Sequence, residues 1–243
     1  MVFTSLCLGI AIGAGIVIAQ FYGAGDEAGT ASAIRNGSII SILSTLIVSV
    51  IALVVTKPIL ILLNTPVSLL EDAAKYMLIS LGGLVIVILY YIPFSILRSL
   101  GDAKTPIIFL AVCSILNIVF DLVFVLLFHT GVEGTAVASL LAQGIAGILC
   151  FAYAVKKYSY FEKALKEAVF DKVIAKQILK VCIPMGFHYS LIYLSSSILQ
   201  WLINGFGTSI IGAFTATSQI ENLIQQPFTA LGTAIATYTG QKQ

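Results

Sequence analysis

Six stretches of this chain are long enough to cross a bilayer and almost free of charge, and that property restricts the fold more than any motif does. Uncharged runs cover Met1 to Gly25, Gly37 to Thr56, Tyr76 to Leu97, Gly134 to Val155 and Val181 to Ile220, while Thr105 to Phe128 is interrupted by a single acid, Asp121. About 20 helical residues cross roughly 30 Å of hydrocarbon, so each run is a spanning candidate and the last can cross twice. A backbone in hydrocarbon must satisfy its own hydrogen bonds, so the expected fold is all-α: a polytopic transmembrane bundle of seven helices. Charged residues make up 10% of the 243 and hydrophobic ones 59%, with a mean hydropathy of +1.04, which excludes an ordinary soluble domain.

The net charge of +2 carries little information, but the placement of the thirteen basic residues does. If the first span runs inward, Arg35, Arg98, Lys104, Lys156, Lys157, Lys163, Lys166, Lys172, Lys176, Lys180 and Lys242 share one side, leaving Lys57 and Lys75 on the other. The positive-inside rule makes the first side cytoplasmic and the expected location a cell membrane. The lysines of 156–180 alternate with Leu165, Val169, Val173 and Ile174, which reads as an amphipathic surface helix linking two lobes, 1–155 and 181–243. Positive-inside charge accounts for these lysines, so no nucleic-acid partner is expected. Residues 1–20 lack the basic start of a secretory signal.

Asp121 is the feature that points to function. An ionisable side chain inside a span is expensive to bury and by default faces a water-filled cavity, where it handles ions or protons. Asn117 precedes it by four residues and shares its helical face, while Thr135, Ser139 and Gln143 form a polar stripe on the next span. Hydroxyls and amides often serve only to glue helices together, but a carboxylate fits that role poorly.

Elsewhere the reading is plainer. Gly9 and Gly13, with Ala11, Gly15 and Ala19 beside them, form small-residue stripes that predict tight helix packing. Lys57-Pro58 is expected to end the second span, Asn64-Thr65-Pro66 and Gly205-Phe206-Gly207 to turn, and Pro93 to bend the third span. The seventh span is polar, with Glu221, Asn222 and Gln225 before Pro227, and must face protein or water. Glu221 either lines a cavity or lies nearer an interface and pairs with a basic group. Cys7, Cys113, Cys150 and Cys182 sit singly in apolar runs as packing residues. His129 and His188 lie on separate elements and no HExxH or GxSxG occurs, so neither an enzyme nor a cofactor is expected.

The small-residue pattern of Ala11 to Gln20 recurs, weakly, at Gly232 to Gln241, 221 residues later, as transporters built from two related halves would show. Several stretches then resemble, in order, the multidrug and toxic compound extrusion (MATE) family. They are Ala19 to Asp26, Leu97-Arg98-Ser99-Leu100-Gly101-Asp102-Ala103-Lys104-Thr105-Pro106, Asn117 through Asp121, Gly131 to Ser139, Ile183-Pro184, and Gln226-Pro227 through Gln241. The resemblance implies a two-lobe fold of twelve helices, of which this chain holds the second to eighth. It also implies an antiporter that exports organic, often cationic, drugs in exchange for sodium ions or protons. Asn117 and Asp121 match the amino-lobe cation site, as sodium ligands if sodium is the coupling ion, and Ser139 falls where a hydroxyl contributes.

The substrate path is expected between the lobes, with Tyr90, Tyr91 and Asp121 on one side and Glu221, Asn222 and Gln225 on the other, a combination suited to hydrophobic cations. The expected partners are membrane lipid, a small organic cation and the remainder of the chain's own polypeptide, without which the seven spans are not expected to transport. The alternative within the same superfamily is a flippase for lipid-linked precursors.

Overall fold

A computed structural model describes residues 2–62, 67–166, 169–204, 206 and 208–242. The predicted Asn64-Thr65-Pro66 turn and both glycines of the Gly205-Phe206-Gly207 turn lie outside the described residues. Among those described there is no strand. The helices are α1 (Val2–Gly23), α2 (Glu27–Leu62), α3 (Val67–Gly82), α4 (Leu84–Ser99), α5 (Lys104–Leu122), α6 (Gly131–Lys157), α7 (Ser159–Lys166), α8 (Lys172–Asn204) and α9 (Thr208–Lys242).

Among the described residues five helices are long and apolar enough to cross a membrane, and the pair α3 and α4, bent by 45°, brings the number to six. At 35 residues α9 is long enough to be the seventh, roughly 50 Å, though too polar to qualify by composition. The chain is therefore a multi-pass membrane bundle. Its lipid-facing surface is a belt of exposed aliphatic side chains that includes Ile47, Ile107, Ile115, Ile148 and Leu191.

Three local expectations are corrected. The break in the third span falls at Gly83, where the side chain of Leu140 presses against the α-carbon, while α4 runs through Pro93 as a helix. Similarly, α2 begins at Glu27 and continues through Lys57-Pro58 to Leu62. In both, proline forfeits one backbone hydrogen bond, a loss that a helix packed against neighbours tolerates. The segment 156–180 is not one surface helix: α6 extends to Lys157, α7 is a separate piece of 8 residues, and Lys172 to Lys180 are the opening turns of α8.

The bundle is built around α1, which packs against α2, α4, α8 and α9. Its glycines explain how. A β-carbon on Gly9 would lie 2.6 Å from the Met185 carbonyl oxygen, and one on Gly13 would lie 2.8 Å from Cys182 Cα, so α1 and α8 touch backbone to backbone. On another face, Ser95 and Ser99 of α4 donate to the carbonyls of Ala11 and Gly15 at 2.8 and 2.7 Å. At the basic end Gly23 abuts the backbone of Gln241, whose amide donates to the Ser99 carbonyl at 2.8 Å. The two segments of the weak internal repeat thus finish side by side.

Asp102, in the turn between α4 and α5, pins this end. Its carboxylate accepts from the Thr105 amide and hydroxyl, from Tyr158 Oη at 2.7 Å and from Lys157 Nζ at 3.0 Å. Burial alone would push the carboxyl up, but the hydrogen bonds of Thr105, Tyr158 and Lys157 outweigh it and hold the group well below the usual carboxylate range. A depressed carboxyl stabilises fully above its ordinary pKa of about 4, and the contribution is lost as pH falls through the depressed value. Asp102→Ala is expected to lower the melting temperature by about 2–4 °C at neutral pH, the displacement that ~1 kcal/mol produces at this size. The gap should close on acidification; a gap that stays constant into strong acid would refute the assignment.

Candidate ion site and central cavity

The candidate ion site lies where α5 and α6 meet, with α4 packed beside them. On α5 the four-residue spacing puts Cys113, Asn117 and Asp121 on the face that meets α6, and there Asn117 Nδ2 donates to Ser139 Oγ at 3.0 Å. Close approach is possible because the facing positions of α6 are small: Ala138, Ala142 and Ala146 are all 0% exposed. Tyr90 of α4, itself 3% exposed, packs with Cys113, Ala142 and Ala146. Directly after Asp121, at Val123–Leu127, the helix passes into a π-helical turn. The sequence reading did not anticipate this turn, and such turns recur at functional sites.

On α4, α5 and α6 three buried polar atoms have no hydrogen-bond partner: Tyr90 Oη, Asp121 Oδ1 and Gln143 Oε1. Buried polar groups are satisfied with few exceptions, so each calls for a reason. Asp121 is ionisable and carries one such unpaired oxygen a helical turn from the Asn117–Ser139 pair, which makes this the candidate ion site. Gln143 belongs to the polar stripe recognised in the sequence.

A separate cavity of about 380 Å³ lies between α1 and α4 on one side and α8 and α9 on the other. Aromatic side chains dominate it: Tyr91 and Phe94 from α4, Tyr189 and Tyr193 from α8. A hydroxyl stripe on α9, Thr229, Thr233 and Thr237, faces them. The charged residue among the described lining is Arg98, whose guanidinium sits over the Phe94 ring at 5.6 Å from its centroid.

Of the residues expected on the substrate path, Tyr91 lines this cavity. Tyr90 packs instead against Cys113 and the alanines of α6, and Asp121 lies outside the lining with Asn117 and Ser139. Glu221, Asn222 and Gln225 are exposed and outside the lining, with Gln225 donating to Glu221 Oε1 at 2.9 Å. Arg98 enters the sequence reading only as part of the basic side and the family motif, and the tyrosines of α8 carry no sequence signal of their own. Only the four-residue recurrence of threonine on α9 signalled that face.

Unpaired polar groups inside a lipid-facing bundle that also holds a cavity of this size between its helices are what a membrane transporter requires and a scaffold does not. Comparison with known proteins gives the family. The MatE model matches residues 1–123, and the chain belongs to that family, the multidrug and toxic compound extrusion transporters, which are not enzymes. It is 29% identical over 174 residues, 72% of this chain and 39% of the relative, to the probable multidrug resistance protein YpnP of Bacillus subtilis. To YoeA of the same organism, another probable multidrug resistance protein, it is 27% identical over 98% of this chain and 53% of the relative. A crystal structure of MATE in the bent conformation superposes with a TM-score of 0.84 at 27% identity, covering 99% of this chain and 54% of that one. The chain spans about half the length of the curated relatives it matches.

Proposed function

We propose that the whole protein is a cation-coupled antiporter of the cell membrane that exports amphiphilic organic compounds by alternating access, its basic end cytoplasmic. Residues 1–155 form the amino lobe, 156–180 the connection and 181–243 the start of the carboxy lobe. The observation that carries the reading is the unpartnered oxygen of Asp121 beside the Asn117–Ser139 pair. Asp121 holds a sodium ion or a proton as the coupling ion, with Asn117 and Ser139 contributing oxygens beside it, and no cofactor takes part. Substrate occupies the cavity between the lobes, against the faces of Tyr91, Tyr189 and Tyr193. Those faces also bind hydrophobic cations well, whereas Arg98 works against them.

The test is dye efflux from vesicles carrying the full-length protein, driven by an imposed proton or sodium gradient. Export is expected to follow one of the two gradients and to stop when that gradient is collapsed. Indifference to both gradients would exclude coupling. The lipid-precursor flippase gains one specific point, the positive charge of Arg98 in the cavity. Export of a lipid-linked precursor without drug efflux would establish that alternative.

A further inference from the structure

On the opposite face of α4 from the central cavity lies a second one, of about 470 Å³, enclosed by α2, α4, α6 and the short α7. Its volume is that of an ordinary small-ligand site. Its walls are almost wholly aliphatic and aromatic, with the buried Ile92 at one side, the half-exposed Leu89 towards the outside and Phe161 of α7 at the basic end. Ile148, also in the wall, is 71% exposed on the outside of the bundle, so the cavity is reached from the hydrocarbon of the bilayer.

One charged side chain lines it, Arg35, about 12 Å along α2 from the start of that helix at Glu27. Arg35 Nη1 donates to the carbonyls of Ala164 and Leu165, both at 3.3 Å, which fixes the guanidinium against the end of α7. Its Nε is buried and has no partner. A guanidinium recognises phosphate through its N–H donors and its charge, and here the group is fixed in the cavity wall with no ion pair among the described residues. The cavity therefore has a long apolar body in the membrane and an immobilised cationic donor at the end of the bundle that carries the basic residues.

We propose that this cavity binds one anionic phospholipid, its acyl chain between α2, α4 and α6 and its phosphate on Arg35. A free anion would leave the apolar walls uncovered, and a neutral hydrocarbon would leave the Arg35 donor unsatisfied. The lipid ties α7 to the three spanning helices beside it. The assignment rests on the membrane-spanning fold and is independent of what the protein transports.

Native mass spectrometry of the full-length protein, offered equal amounts of phosphatidylglycerol and phosphatidylcholine of the same chain length, tests it. The parent is expected to retain a single phosphatidylglycerol in preference to phosphatidylcholine, and Arg35→Gln to lower that retention about tenfold, the loss of one charge-assisted hydrogen bond. Ile148→Trp, which fills the cavity from its exposed wall, is expected to lower retention while leaving the melting temperature of the delipidated protein unchanged. If Arg35→Gln fails to fold, Ile148→Trp decides. Equal retention of both lipids by the parent, or undiminished retention by Ile148→Trp, would overturn the proposal.

Discussion

Asp121→Asn in the full-length transporter is expected to abolish gradient-driven efflux while leaving the folded protein in the membrane. Asparagine has nearly the same shape, so the packing of α5 on α6 and the Asn117–Ser139 hydrogen bond should survive. What disappears is the charge that, under the proposed mechanism, binds the coupling ion. Ion and substrate influence one another only through a difference in affinity between conformations, typically ~1–3 kcal/mol or about 5–150-fold. A site that no longer binds the ion supplies none of that difference, so uphill export should fall to the leak rate even if substrate still binds. Efflux assayed against an imposed gradient, with binding of the same compound measured separately, distinguishes loss of coupling from loss of the cavity. Normal gradient-driven export by the variant would remove Asp121 from the mechanism.

Gly13→Leu should have a large structural effect on the bundle. The neighbour its β-carbon would meet is the backbone of Cys182, 2.8 Å away, and not the end of a flexible side chain that could move aside. Overpacking costs about 1–3 kcal/mol, and more where backbone must shift, so α1 and α8 are expected to part. The melting temperature should fall by at least about 5 °C, with transport lost alongside it. Gly212→Ala on α9 is the control, because a β-carbon there meets nothing within 4 Å and alanine favours the helix. A Gly13→Leu protein that melts and transports like its parent would show that the seam does not hold the two helices together. Under the two-lobe reading the seam joins one lobe to the other, so any rocking motion must pivot at Gly9 and Gly13 or break the contact there.

Much of this was determined by the order of residues alone. Bilayer-length apolar runs could be satisfied only by helices, because no other open form pairs every backbone group within a single segment. The four-residue spacing of Asn117 and Asp121, and of Gly9 and Gly13, placed each pair on one helical face before any neighbour was known. What those faces meet was decided by the tertiary structure. Adjacent residues on a helix point about 100° apart, so Tyr90 turns to Cys113 and the alanines of α6 while Tyr91 reaches the central cavity, and composition cannot distinguish the two. On α9 a four-residue stripe runs from Glu221 through Gln225 to Thr229, Thr233 and Thr237, but it drifts by about 40° at each step. By the height of the cavity it is the threonines that face it, and Glu221 has rotated away. The bend likewise follows packing rather than residue type: Leu140 presses on Gly83, and Pro93, the stronger local signal, stays within an unbroken helix because its neighbours support both sides of it.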